Sequence, residues 1–179
     1  VGLLVSAPAQ AFSVLVLGAP NLESWNDDVR DKIHCGGFFQ TVHSMYVATD
    51  TPDLETLQEY DAVLVYSEIG FADAQALGDV LADYSDSGGG VVLAVGTCVD
   101  TTLNLSGKFN TKKYMPFKLG SLAAPGTMTF VPDPAYLLHD VMRGFNYFDG
   151  GSSMHCSGIE PGKSTEVAAS WENGEPLIM

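Results

Sequence analysis

Four short apolar runs punctuate the first hundred residues: Phe12–Leu17, Ser44–Ala48, Ala62–Tyr66 and Val91–Val95. Unbroken apolarity over so few positions predicts strands buried on both faces, as in parallel sheets. Between them the pattern changes to helical spacing. Ser24 is placed as an N-cap, Asp27 and Asp28 favour the positive end of a helix dipole, and Trp25, Val29 and Ile33 recur every four residues as a core face. Gly36-Gly37 closes that helix. Thr51-Pro52-Asp53 opens a short helix through Leu54, Leu57 and Tyr60. Leu77, Val80, Leu81 and Tyr84 form an i, i+3, i+4, i+7 stripe that stops at Gly88-Gly89-Gly90. Strands alternating with helices require parallel, right-handed crossovers and a sheet covered on both faces. The expected fold class is therefore α/β, a three-layer sandwich around a mostly parallel central sheet.

Beyond residue 99 the pattern loosens. Asn104–Phe117 reads as a long polar loop or insertion, and with Lys118 it holds four of the eight basic residues. Thr127–Val131 is a predicted strand, Asp133-Pro134 starts a turn and short helix through Tyr136–Met142, and Phe145–Phe148 is extended. Asp149–Ser153 is a glycine-rich turn. Val167–Trp171 and Pro176–Met179 flank Glu172-Asn173-Gly174-Glu175, and Asn-Gly between apolar runs signals a C-terminal β-hairpin. No repeat or low-complexity linker interrupts the pattern, so residues 12–179 are read as one domain.

Composition narrows the class. The 179 residues are 46% hydrophobic and 17% charged, which suits a domain with a substantial core and argues against intrinsic disorder. A formal net charge of −14 repels phosphate backbones and argues against nucleic acid and anionic membranes as partners. No apolar run reaches the ~20 residues of a transmembrane helix. The opening run ends in Ala9-Gln10-Ala11, the small-x-small pattern of a signal-peptide cleavage site; the other reading is a plain strand or tail. The first reading makes residues 1–11 a signal-peptide remnant and the protein secreted or extracellular; the second leaves it cytoplasmic. The first residue is Val1 and Met179 falls within a predicted strand, so the chain is expected to continue at both ends, with truncation at the C-terminus. Cys35, Cys98 and Cys156 are an odd set, so at least one is unpaired within the chain, and a Cys35–Cys156 bridge is one arrangement open to a secreted protein. Asn104-Leu105-Ser106 is a glycosylation sequon.

In open parallel sheets ligands bind beyond the carboxyl ends of the strands. That rim comprises Ala19-Pro20-Asn21, Ser67-Glu68-Ile69-Gly70 and Gly96-Thr97-Cys98-Val99-Asp100, with the Ser152–Cys156 loop expected to reach the same edge. The expected ligand-binding residues are Asn21, Gly70, Gly96, Thr97 and Ser153. Cys98 follows a buried strand, where backbone N–H groups and a helix N-terminus lower a thiol pKa and hold an oxyanion. It is either a nucleophile or a small buried hydrophobe. A cysteine nucleophile needs a base, and His155 is the best-placed histidine; Glu68 either orients it or caps the helix near Phe71. His139 reads as a structural hydrogen-bonding position, and His34 and His43 as surface or structural. No CxxC, HxxxH or His-x-His spacing supports a metal site, and no Gly-x-Gly-x-x-Gly follows the first strand, so neither a metal nor a cofactor is expected.

The string Tyr60–Tyr66, the helix after it and Gly88-Gly89-Gly90-Val91-Val92-Leu93-Ala94 together resemble the class I glutamine amidotransferase-like superfamily, and within it the divergent ThuA-like and extracellular branches. Leu138-His139-Asp140-Val141-Met142-Arg143-Gly144-Phe145 is similar to a ThuA-like His-Pro-Ile…Gly-Leu segment, with Asp140 in place of proline. The resemblance implies a flavodoxin-like sheet, an elbow cysteine at Cys98 and a late His-x-Glu pair. The chain departs from that pattern at Asp100, where the elbow has a second glycine, and neither His139 nor His155 is followed at the second position by Glu. The expectation is a divergent domain lacking a complete Cys-His-Glu triad, a ligand-binding or accessory module without glutaminase activity whose partner is a small-molecule or carbohydrate-like ligand. The alternative is a Cys-dependent hydrolase or amidase with Cys98 as nucleophile, His155 as base and Glu68 as their partner.

Overall fold

The structure, a computed structural model, describes residues 12–111, 113–123, 129–143, 147–151 and 153–179. The leader-like segment 1–11 lies outside the described residues, as do parts of the strands expected at Thr127–Val131 and Phe145–Phe148.

The four expected strands form one parallel sheet: β1 (Ser13–Ala19), β2 (Thr41–Tyr46), β3 (Ala62–Ser67) and β4 (Gly90–Leu93), in the order β2-β1-β3-β4. The two-residue side-chain period divides them into two cores. Leu15, Leu17, Val63 and Val65 face α2 (Leu54–Gln58) and α3 (Ala74–Asp86), joined by Leu57, Leu77, Leu81 and Tyr84. Val14, Val16, Val42 and Tyr66 face the other way, onto Val29 and Ile33 of α1 (Ser24–Cys35). Helices therefore cover both faces, as the alternation predicts.

The start of α2 follows the expected Thr51-Pro52-Asp53 opening, whereas those of α1 and α3 differ from expectation in their chemistry. Asp53 caps α2, accepting the Thr56 N–H at 2.8 Å, and Asp73 caps α3, accepting from Gln75 and Ala76 at 3.1 and 2.9 Å. Neither Ser24 nor Glu68 caps a helix. Within α1 the buried position is Asn26, whereas Trp25 is 43% exposed. Asn26 donates to the Met45 carbonyl at 2.8 Å and accepts from the Tyr66 hydroxyl at 3.2 Å. Burial pushes the Tyr66 phenol up to about 12, which keeps it a donor. Gly18 makes this approach possible, since a Cβ there would fall 2.2 Å from Asn26 Oδ1.

The second half is more ordered than a loose polar loop. It contains α4 (Gly107–Thr111), which buries Phe109 against α3, and short antiparallel pairs: β5 (Phe117–Lys118) with β9 (Glu160–Pro161), and β6 (Ser121–Ala123) with β8 (His155–Ser157). The expected hairpin forms from β10 (Ala169–Trp171) and β11 (Pro176–Ile178), and β7 (Phe130–Pro132) extends it to three strands. Two 3₁₀ turns replace the helix expected before Met142. The sequon residue Asn104 is only 4% exposed, so the folded chain offers no room for a glycan there.

Candidate functional site

The turns that leave β1, β3 and β4 share one rim of the parallel sheet, and the eight sequence-predicted residues divide into three groups around it. Asn21 and Glu68 form the first. The Asn21 backbone N–H and side-chain amide both donate to Glu68 Oε2, at 3.2 and 3.1 Å, which ties the exits of β1 and β3 together. Gly70, Gly96 and Thr97 form the second and shape backbone. Gly96 has φ +92°, and a Cβ there would sit 1.9 Å from the Ser67 carbonyl, so both conformation and space require glycine. Thr97 is fully buried and its hydroxyl donates to the Ala94 carbonyl at 2.6 Å; Gly70 lies against the Thr102 carbonyl.

Cys98, Ser153 and His155 form the third group and line one pocket of about 330 Å³. Its floor is the end of the edge strand, Leu93 to Val95, and its far wall is the hairpin, with Trp171, Pro176 and Leu177. The parallel sheet thus supplies one side and the antiparallel C-terminal half the other.

Cys98 and Cys156 are joined by a disulfide, with Cα atoms 6.0 Å apart. The cysteine expected as a nucleophile therefore carries no thiol in this oxidised form, and it is 2% exposed, packed with Val99 and Ile159. Cys35, considered from the sequence as the partner of Cys156, is instead free and exposed. Sequence spacing could not choose between the pairings; the choice follows from β8 running beside β6, which brings Cys156 under the loop after β4.

His155 has a different carboxylate from the one expected. Its Nε2 lies 3.5 Å from Glu175 Oε2, and the imidazole is 12% exposed. Glu175 is well held: Ser157 Oγ and the Gly158 N–H donate to one oxygen, and Asn173 Nδ2 donates to the other at 3.0 Å. The Ser157 hydroxyl, with Asn173, Gly158 and the nearby imidazole adding to it, holds the Glu175 carboxyl below the usual range despite partial burial. The His155 ring also meets Trp171 edge-on at 6.0 Å, and Trp171 meets Phe148 at 5.8 Å. Trp171 and Glu175 were the parts of the site hardest to find from sequence. The Asn-Gly turn marks the hairpin, but nothing local marks the hairpin as the neighbour of His155.

Of the remaining histidines, His34 is exposed on α1 and the other two make hydrogen bonds. His139 Nδ1 accepts the Val141 N–H at 3.2 Å, and His43 meets the Tyr60 hydroxyl at 2.7 Å. Among the described residues no cluster of three or more His, Cys, Asp or Glu could hold a metal ion, and no helix is long and apolar enough to cross a membrane. Comparisons with protein-family models, with curated proteins and with solved structures return no match to this chain.

Proposed function

We propose that this chain is a small-molecule-binding domain of flavodoxin-like, class I glutamine amidotransferase-like type, in which the pocket beyond β4 binds a ligand without glutaminase chemistry. The observation that carries this reading is the Cys98–Cys156 bridge in the wall of a pocket lined mainly by apolar side chains. A sulfur held in a disulfide cannot attack a carbonyl, because the thiolate is the nucleophile. The pocket retains what recognition needs: apolar walls, aromatic faces and a few placed polar groups.

Two assays test the reading on the full chain. Ammonia release from glutamine is expected to stay at background with and without reductant. Release above background that disappears in Cys98→Ser would overturn the proposal in favour of a cysteine hydrolase. In parallel, a fragment set is screened by following the two tryptophan indole N–H resonances. Fragments are expected to move the Trp171 signal and leave that of Trp25, exposed on α1, in place. A set that moves neither overturns the binding reading.

A further inference from the structure

We infer, resting on the ligand-binding reading above, that the pocket takes flat, largely apolar molecules that are neutral or positively charged and carry a hydrogen-bond donor, and rejects carboxylates of the same shape.

The first observation is the missing cation. Among the described residues no lysine or arginine lines the pocket, and His155 is the single basic one. Lys118 follows the lining residue Phe117 but is engaged on the surface with Glu160. The site is instead flanked by carboxylates. Glu175 stands behind the imidazole. Asp149 precedes the lining residue Gly150 and binds the Gly151 N–H, and Glu172 follows Trp171 and binds Thr129. An anionic ligand entering this pocket would give up hydration without a countercharge and would approach fixed negative charge.

The second observation is the hydrogen-bonding direction of the imidazole. A carboxylate beside Nε2 favours the imidazole tautomer with its proton on that nitrogen. Nδ1 is then an acceptor. Among the described residues it has no hydrogen-bond partner, and it is not a sealed, unsatisfied buried atom. The complementary ligand group is an N–H or O–H.

The third observation is the aromatic corner formed by His155, Trp171 and Phe148, faced by the sulfur-bearing side chains Met154 and Met179. Ring faces favour flat partners and attract cations, and methionine adapts to their outline. At about 330 Å³ the pocket is at the small end of ligand sites, which fits one or two fused rings.

One ring system in four forms tests the inference: indole, 1-methylindole, tryptamine and indole-3-acetate, titrated into the full oxidised chain at neutral pH by ligand-observed NMR and calorimetry. Tryptamine and indole are expected to bind about tenfold or more tighter than indole-3-acetate. Loss of the ring N–H in 1-methylindole is expected to weaken binding severalfold relative to indole. Glu175→Gln, which keeps an acceptor for Gly158, is expected to narrow the gap between tryptamine and indole-3-acetate. Equal binding of indole and indole-3-acetate would overturn the selectivity, as would fragments that move Trp171 while none of the four indoles does. Failure of every fragment to move Trp171 would instead remove the underlying binding reading.

Discussion

Breaking the Cys98–Cys156 bridge is the perturbation whose effect follows most directly from the structure. The bridge spans a sequence separation of 58 residues. In the chain-entropy account, closing a loop of that length removes about 4 kcal/mol of denatured-state freedom at 25 °C. For a chain near this size each kcal/mol moves the melting midpoint by about 2–4 °C, so the loss corresponds to roughly 10 °C. Two versions of the experiment separate the crosslink from its volume. Reduction of the wild-type protein leaves both sulfurs in place, whereas Cys98→Ala with Cys156→Ala also removes them from the cluster with Val99 and Ile159, at a further cost of about 1 kcal/mol or less. Guanidinium unfolding and calorimetry with and without reductant supply the readout, and Cys35→Ala, at an exposed free thiol, is the control that should change little. A midpoint that stays put in both reduced wild type and the double variant would refute the argument that this bridge constrains the chain.

The remaining predictions concern single groups. Iodoacetamide applied to the folded, unreduced protein should modify one thiol per chain, at Cys35, and mass spectrometry should show a second and third only after reduction. Asp73→Ala removes the acceptor for the Gln75 and Ala76 N–H groups at the start of α3 and should cost about 1 kcal/mol by chemical denaturation. Glu175 has a folded pKa below its ordinary 4.5, so the stability it contributes is fully present above that value and disappears as the pH falls through the lowered folded value. Glu175→Gln should therefore flatten the acid limb of the stability profile below about pH 4.5, and an acid limb identical to wild type would show that the carboxylate is not held as described.

The parts of the fold that can be read from sequence are those in which one local signal has one structural cause. Val14 to Leu17 are apolar without interruption because both faces of β1 are covered, and the Leu77–Tyr84 stripe is helical because one face of α3 is buried. The phase of α1 is harder. Trp25, Val29 and Ile33 suggest one buried face, yet the helix turns Asn26 inward because the Met45 carbonyl and Tyr66 hydroxyl, on two different strands, satisfy its amide. That is tertiary context overriding a local pattern. The pocket is harder still, because β5, β6, β8 and β9 are two or three residues long, too short to show any period. Cys98 and His155 do share a pocket, as the common rim implies, but the carboxylate at His155 comes from a hairpin whose docking leaves no trace in its own residues.

The position of the bridge has a consequence for binding. One wall of the pocket, Leu93 to Val95, belongs to a sheet held on both sides by helices, and the other, Trp171 to Leu177, belongs to a three-stranded antiparallel sheet. The Cys98–Cys156 bond ties the loop that leaves the first wall to β8, the strand that also carries His155. Ser157 on β8 and Gly158 after it donate to Glu175 of the hairpin, so the bridge and these bonds together set the gap that a ligand touching both walls would meet. Without those ties the ligand itself would have to hold the two walls at their spacing, and the ordering cost would come out of its affinity. By this argument the sulfur atoms act on the pocket through geometry: in oxidised form they tie together two of the segments that line it, at the position where, reduced, a thiol would face the same space.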